Sequence, residues 1–185
     1  MAVWETDYQT KVLSRIDLTT FAVTNVPFGL SGGGVAIDHA NNVWVAATGD
    51  GNVHEFSDSG TMISPAGGYV APNGVVQNIM IDGLGNAFAG AFSNTQTTTM
   101  GSLFEFSNSG MLLSPASGFS ASNVIPVVPQ APGGIDIDGS GNVWIAGTTN
   151  GSILPSFVTE VIGIAAPVVT PRSVATTNNM LGVRP

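Results

Sequence analysis

The sequence GVAIDHANNVWVA at residues 34–46 occurs in three versions along the chain. It returns as IMIDGLGNAFA at residues 79–89 and as GIDIDGSGNVWIA at residues 134–146. Each version joins an apolar run ending in Ile-Asp to a turn rich in Gly or Asn, and then to a second apolar run that contains an aromatic residue. Units repeated at roughly forty to fifty residues are typical of stacked or radially arranged architectures.

A second repeated element follows the first two versions along the sequence. VHEFSDSG at residues 53–60 is matched by LFEFSNSG at residues 103–110. The start of the chain fits the same pattern, because Val3-Trp4 aligns with Val43-Trp44. The chain therefore begins inside a repeat that lacks its opening strand. We expect a single domain over residues 1–172 with one partial and three complete repeats, followed by a tail. The expected bounds are about 1–30, 31–74, 75–130 and 131–172, with the tail at 173–185.

Composition and periodicity predict an all-β protein. Of the 185 residues 43% are hydrophobic and only 9% are charged, and 24 are glycine. Short runs of Val, Ile, Phe and Trp alternate with turn residues, and no helical periodicity is sustained. Two of the turns contain residues that accept positive φ, Gly85-Asn86 and Gly141-Asn142. The aspartate that precedes each of these turns can accept hydrogen bonds from the backbone amides of its own turn. Both faces of the strand at 43–46 are apolar, which suits a sheet covered on two sides.

The Ile-Asp, Gly-Asn-Val-Trp-Val-Ala and Glu-Phe-Ser pattern resembles NHL-repeat β-propellers, particularly the secreted bacterial group related to streptogramin (virginiamycin B) lyases. The likeness runs from Val3 to about Arg172, and residues 171–185 resemble the tails of such proteins. It implies blades of antiparallel strands and a periplasmic or extracellular location. Family members usually close six or seven blades, so we expect either a fragment of a larger propeller or a four-bladed ring. The ring would need a strand from residues 168–170 or Val174 beside Val3.

Charge and residue usage exclude several function classes. Four Lys and Arg against twelve Asp and Glu give a formal charge of −8, which repels nucleic acid. The absence of cysteine excludes disulfides, thiolate nucleophiles and cysteine zinc sites. Residues 1–10 do not form a signal peptide and no stretch is apolar enough for a membrane span, so the sequence itself leaves the compartment open. No phosphate loop, nucleophile elbow or metal-ligand spacing is found, so no cofactor is expected.

Two sets of acidic residues recur, Asp38, Asp82 and Asp138 in the turns and Glu55, Glu105 and Glu160 in the third strands, with Arg15 in the equivalent place of the partial repeat. Identity in every unit indicates that they build the repeat rather than perform chemistry. Residues 136–141 follow the start of a calcium-binding loop, but Gly147 occupies the position where the bidentate Glu is required. No metal site is predicted.

The two histidines, His39 in a turn and His54 beside Glu55, are not repeated. In a propeller, function tends to lie at polar residues that differ between blades. His54 is accordingly the candidate general base if the chain is an enzyme, although a single strand histidine is usually a packed or surface residue. The paired histidines and metal-binding acid of streptogramin lyases do not align with this sequence, so their activity is not carried over.

The aromatic residues at equivalent strand positions are interpreted as packing between blades rather than as a platform for sugars; they are Trp4, Trp44, Phe88 and Trp144. Overall the sequence favours a non-enzymatic scaffold that binds a protein or a glycan through loops that vary between repeats, at residues 93–101 and 120–132. One alternative is a streptogramin-lyase-like or lactonase-like enzyme using His54. Another is a structural module of an envelope or extracellular protein that self-associates through open sheet edges.

Overall fold

The computed structural model describes residues 2–72, 74–93, 101–119, 131–148 and 157–167. Every regular element within these ranges is a β-strand. The strands are β1 (Ala2–Asp7), β2 (Val12–Asp17), β3 (Val23–Pro27), β4 (Gly32–Ile37), β5 (Val43–Ala47), β6 (Val53–Phe56), β7 (Gly74–Ile81), β8 (Ala87–Ser93), β9 (Ser102–Phe106), β10 (Ala131–Ile137), β11 (Val143–Thr148) and β12 (Phe157–Val161).

The described strands form four antiparallel sheets of three strands each, taken in chain order. The sheets are β1-β2-β3, β4-β5-β6, β7-β8-β9 and β10-β11-β12. Equivalent residues of the last three repeats face the same partners, with Trp44 opposite Glu55, Phe88 opposite Glu105 and Trp144 opposite Glu160. The predicted all-β architecture of repeated antiparallel units is therefore confirmed.

The first sheet begins one strand later than the others. Its edge strand β1 carries Trp4, the counterpart of Trp44 in the middle strand β5, so the predicted partial repeat is confirmed. On the other side, β3 pairs with β2 as a regular strand. In the second sheet the corresponding segment returns with less regularity and forms isolated bridges, one of which joins Val53 to Tyr69.

The turns between the first two strands of each complete repeat share one side-chain mechanism. The Oδ1 atom of Asp38 accepts hydrogen bonds from two amides of its own turn at 2.8 Å. Asp82 and Asp138 make the same two contacts. The residue that needs positive φ is Asn41 at 64° in the first of these turns and a glycine at 84° in the other two. The predicted turn-building role of the repeated aspartates is confirmed.

Three buried clusters lie between successive sheets, because the aromatic face of each sheet packs against the opposite face of the next. Representative residues are Trp4, Leu13, Val43 and Phe56 between the first and second sheets, Trp44, Val53, Ile79 and Ala89 between the second and third, and Phe88, Leu103, Val143 and Ile145 between the third and fourth. The first strands β4, β7 and β10 also lie side by side in that order. The sheets therefore succeed one another around a common axis.

Residues 168–170 and Val174, which were predicted to close a ring beside Val3, lie outside the described residues. Ring closure and the exact repeat boundaries thus stay predictions. The described part of the chain has no helix that is long and apolar enough to cross a membrane.

Candidate functional site

One end of the sheets carries uniform turns. Residues 38–42, 82–86 and 138–142 join the first and second strands of the complete repeats and share the aspartate mechanism. The turns that follow the third strands of the second and third sheets are also alike, since Ser57 and Ser107 each accept a hydrogen bond from a backbone amide of their own turn at 3.1 Å. This end therefore presents the same aspartate turn in all three complete repeats, and the same serine turn in the second and third sheets.

The opposite end carries connections that differ in length. Residues 48–52 join β5 to β6, whereas residues 94–101 and 149–156 make the corresponding connections in the third and fourth sheets. Residues 120–130 run to the start of β10, which lies at this same end because Ala131 pairs with Thr148. The two predicted binding loops therefore leave the sheets at one end, although most of their residues lie outside the described ones.

His54 lies near the variable end but is fully buried. Its Nε2 atom is 2.8 Å from Oδ2 of Asp50, and its ring meets the ring of Phe28 edge-on at a centroid distance of 5.2 Å. Its Nδ1 atom has no hydrogen-bond partner among the described residues. Because a carboxylate accepts hydrogen bonds, Nε2 is the donor to Asp50, and Nδ1 lies without a partner in the contact between the first two sheets. The candidate base is therefore enclosed.

The other histidine is far from this pair. His39 is exposed in the turn at 38–42, at the uniform end of the sheets, so the structure does not bring the two histidines together. Asp50, in contrast to His54, keeps a quarter of its side chain exposed. Among the described residues no group of three or more His, Asp or Glu side chains is arranged to hold a metal ion.

The repeated glutamates of the second and third sheets are engaged in partly buried hydrogen bonds. Glu55 accepts one from the Asn42 side chain at 3.0 Å and one from the Tyr69 hydroxyl at 2.8 Å. Glu105 accepts one from the Asn86 side chain at 3.2 Å. Burial raises the pKa of both carboxyl groups above the ordinary value of 4.5. These acids connect strands within a repeat and do not face an open cleft.

The fourth sheet departs from this pattern. Asn142 donates to Oδ2 of Asp138 at 2.9 Å instead of bridging to Glu160, which is exposed. The backbone amide of Asn142 and the indole of Trp144 hold the pKa of Asp138 at about 2. Trp144 itself is 39% exposed, whereas Trp44 is completely buried. Packing between blades is observed for Trp4, Trp44 and Phe88. For Trp144 it stays a prediction, because no described sheet follows the fourth one.

We call the surface around Trp144 the outer face of the fourth sheet. It consists of Asp136, Trp144, Ala146, Val158 and Glu160, which lie opposite one another on neighbouring strands and are all exposed. Val158 is 60% exposed, while its counterparts Val53 and Leu103 in earlier sheets are completely buried.

Solved structures share this arrangement of sheets. The fold is a β-propeller fold. A gluconolactonase from Xanthomonas campestris aligns with a TM-score of 0.56 and 15% identity, over 82% of this chain and 44% of its own. A streptogramin B lyase aligns with a TM-score of 0.51 and 14% identity, over 86% and 50%. A structure of a nidogen/laminin complex aligns with a TM-score of 0.57 and 16% identity, over 90% and 62%.

The similarity between this propeller chain and the solved structures is a similarity of fold. The chain spans about half the length of the first solved structures that it matches. No protein-family model matches the sequence, and no curated protein matches it significantly. The resemblance to propellers of the streptogramin-lyase kind is thus confirmed as a structural one. Since the similar structures include both enzymes and a protein complex, the propeller fold is compatible with catalysis and with binding.

Proposed function

We propose that this chain is a non-enzymatic propeller scaffold that binds a protein or a glycan at the variable end of its sheets. The observation that carries the proposal is the contrast between the two ends. One end repeats the same aspartate turn in each complete repeat. At the other end the connections at 94–101 and 149–156 are longer than their counterpart at 48–52, and residues 120–130 form a long connection to β10. Binding sites are commonly built from such loops on a rigid scaffold.

The composition of these loops indicates the kind of contact. Residues 94–100, 120–130 and 149–156 contain Thr, Ser, Asn, Gln, Val, Ile and Pro and have no charged residue. A surface of this composition recognises its ligand by neutral hydrogen bonds and apolar contact. Binding is therefore expected to depend little on salt, unlike binding driven by ion pairs.

The state of His54 supports binding over catalysis. A general base must reach the proton that it removes, directly or through one water molecule. His54 is completely buried, its Nδ1 atom has no partner among the described residues, and its ring packs edge-on against Phe28. The repeated acids Glu55 and Glu105 are likewise held in internal hydrogen bonds.

Loop replacement tests the proposal. Residues 94–100 and 120–130 are each replaced by a short Gly-Ser linker, and the purified variants are compared with the parent protein on glycan and protein arrays at low and high salt. We expect the parent to bind a small set of ligands and the double replacement to lose them. The matched control is Ser59→Ala in a turn at the uniform end, which should bind like the parent. Binding that survives both replacements would contradict the proposal.

The alternative of a lyase-like or lactonase-like enzyme is favoured by the Asp50–His54 pair, whose 2.8 Å contact resembles an oriented base. This enzyme alternative predicts measurable turnover of a lactone or a streptogramin. The turnover should disappear in the His54→Gln variant. The alternative of a self-associating structural module requires dimers or larger species in light scattering.

For all three candidate functions we propose a periplasmic or extracellular location. The basis is the resemblance of the sequence to the secreted bacterial group.

A further inference from the structure

The turns after β2, β6 and β9 occupy equivalent places in the first three sheets, and each has one residue with positive φ. This residue is Gly60 at 84° and Gly110 at 80° in the second and third sheets, but Phe21 at 57° in the first. In all three turns its amide donates at 2.8 Å to the carbonyl of the residue that opens the turn. Phe21 therefore stands where the next two sheets have glycine.

The two glycines leave room for the preceding sheet. In the first and second sheets the chain comes back beside β2 or β6, and we call this stretch the return segment. A Cβ atom on Gly60 would overlap Val26 in the return segment of the first sheet, and one on Gly110 would overlap the ring of Tyr69 in that of the second. Contact with a preceding sheet that has a return segment therefore requires glycine in this place.

Phe21 indicates that the first sheet fits a different kind of neighbour. A positive φ is unfavourable for a bulky residue, and backbone strain of this kind is concentrated at functional sites. The phenylalanine side chain is 75% exposed and belongs to none of the described core clusters. By the equivalence of the turns, its Cβ lies on the side of the sheet that faces a preceding sheet.

The same side of the first sheet carries a row of apolar residues. Val3 pairs with Ile16 and Ile16 with Val23, so the three lie side by side on one face. Phe56, the counterpart of Ile16 in the second sheet, is buried against the first sheet, whereas Val3 is 46% and Val23 61% exposed. We call this row together with Phe21 the front face of the first sheet.

The outer face of the fourth sheet has no return segment among the described residues. After β12 the chain passes the turn at 138–142, where the Ala165 amide donates to the carbonyl of Gly141 at 3.0 Å. It then reaches the third sheet, where the Ala166 amide donates to Oδ2 of Asp82 at 2.9 Å. Val158 is accordingly 60% exposed, although its counterpart in the second sheet is completely buried. This face can therefore accept a neighbour that brings its own apolar side chain.

We propose that a second copy of this chain places the front face of its first sheet on the outer face of the fourth sheet. Phe21 of the second copy then lies beside Trp144 and Val158, in the place that Tyr69 takes beside Trp44 in the second sheet. The contact repeats the face-to-face packing that joins successive sheets within the chain. It joins sheet faces rather than open edges and leaves the variable end free, so it does not depend on the function proposed there.

The contact has a direction, because one copy contributes its fourth sheet and the other its first. A contact between unlike surfaces repeats from copy to copy until a ring closes. Each copy has four described sheets, so two copies joined at both ends make a ring of eight. Propellers have typically four to eight blades. A pair of copies is therefore the expected closed form.

Charge opposes this contact, since both surfaces carry acids. Asp136 and Glu160 are exposed on the outer face, Glu5 is exposed on the same side as Val3, and each copy has a formal charge of −8. Apolar burial thus drives association against repulsion between carboxylates. We expect single copies, with Trp144 exposed, in dilute solution and pairs in concentrated solution. Added salt should strengthen pairing by screening the repulsion, and pairing that salt weakens would overturn the proposal.

Two single variants test the proposal. Phe21→Asp puts a carboxylate in the front face and Val158→Asp puts one in the outer face. Both positions are exposed, so each variant should fold, which circular dichroism checks. Sedimentation equilibrium measures association up to about 1 mM, a concentration that detects even weak pairs. We expect the parent to pair and each variant alone to stay monomeric, because every contact that it makes has one altered face.

A mixture of the two variants tests the direction of the contact. The Phe21→Asp copy keeps its outer face and the Val158→Asp copy keeps its front face, so mixed pairs should form through one intact contact. Native mass spectrometry identifies them by mass. A parent protein that is monomeric at about 1 mM, or a mixture without mixed pairs, would overturn the proposal. So would pairing that only Val158→Asp abolishes, which would assign the contact to two fourth sheets.

A glycine at position 21 separates association from folding. Phe21→Gly makes the turn like those at Gly60 and Gly110 and relieves the positive φ, so the melting temperature in dilute solution should be at least that of the parent. Loss of the ring should raise the dissociation constant of the pair by about tenfold or more. The matched control is Leu84→Ala, at a 72% exposed side chain in a turn away from both faces, which should leave association unchanged. Equal dissociation constants for the parent and Phe21→Gly would overturn the proposal.

Discussion

The indole nitrogen of Trp44 donates a 3.0 Å hydrogen bond to Oδ2 of Asp38. One carboxylate thus closes the turn through its other oxygen and also fixes the side chain that packs against the next sheet. Trp144 makes the same bond to Asp138 at 3.1 Å, yet its ring is 39% exposed. Comparing the two tryptophans therefore distinguishes the contribution of ring burial to stability from the contribution of the hydrogen bond.

Replacing each of these tryptophans by alanine should give unequal losses of stability. Trp44→Ala removes a completely buried ring and should lower the free energy of unfolding by about 3–5 kcal/mol. Trp144→Ala loses the same hydrogen bond but much less burial, and should cost roughly half as much or less. Urea unfolding followed by circular dichroism measures both. Equal losses would show that Trp144 is buried in solution.

Acidification should stabilise the protein slightly before it destabilises it. Burial raises the pKa of Glu55 and Glu105, so their contribution is fully present below the ordinary glutamate value of 4.5 and is lost as the pH rises through the raised values. The pKa of Asp138 is lowered to about 2, so its contribution is present above the ordinary aspartate value of 3.8 and is lost as the pH falls toward 2.

The melting temperature measured at successive pH values checks this. We expect it to rise from neutral pH toward the ordinary glutamate pKa and to fall below the ordinary aspartate pKa. Glu55→Gln should flatten the rise, because it removes one of the two carboxyl groups whose pKa is raised. Glu160→Gln, on the exposed outer face, is the control and should retain the rise. A profile that is equally flattened by both changes would argue against burial as the cause.

The role of His54 in packing predicts how substitutions at this position behave. His54→Ala leaves a cavity beside Phe28 and should cost about 2–5 kcal/mol of unfolding free energy. His54→Leu keeps most of the volume but loses the hydrogen bond to Asp50, so it should cost less than His54→Ala without being neutral. Thermal melts of the two variants distinguish these values. A stable His54→Ala protein would indicate that this ring is accessible in solution.

Alanine substitutions at two glycines distinguish the cost of backbone strain from the cost of steric overlap between sheets. Gly85 and Gly110 have nearly equal φ angles, 84° and 80°. A Cβ atom on Gly85 meets only the Cβ of Asn108 at 3.5 Å, whereas one on Gly110 overlaps the ring of Tyr69. Gly85→Ala should therefore cost about 1–2 kcal/mol from the left-handed backbone alone. Gly110→Ala should cost a further 1–3 kcal/mol from overpacking. Similar melting temperatures would mean that Tyr69 moves away without cost.

Local chemistry made much of this fold predictable from the sequence. The turn at Asp38 depends on a carboxylate, a residue that tolerates positive φ and an apolar strand on each side, and all three lie within a few positions of one another. The same holds at Asp82 and Asp138, so their shared role could be read from the repeat. The missing first strand of the first sheet followed from the alignment of Trp4 with Trp44.

The features that were not predicted depend on distant parts of the chain. His54 is buried because Phe28, from the preceding repeat, packs against its ring. Equivalence in the sequence suggested that Trp144 would be buried like Trp44, but burial depends on which sheet comes next and not on the repeat itself. The hydrogen bond from Tyr69 to Glu55 likewise joins residues that no local pattern connects.

The ordering of the three buried clusters has a consequence for how the molecule opens. The second and third sheets are each held on both faces, whereas the first and fourth are each held on one face by a described neighbour. In repeat architectures stability is close to a sum over adjacent units. Amide hydrogens of β5 and β8 should thus exchange with deuterated solvent most slowly, and fraying should spread inward from the two terminal sheets.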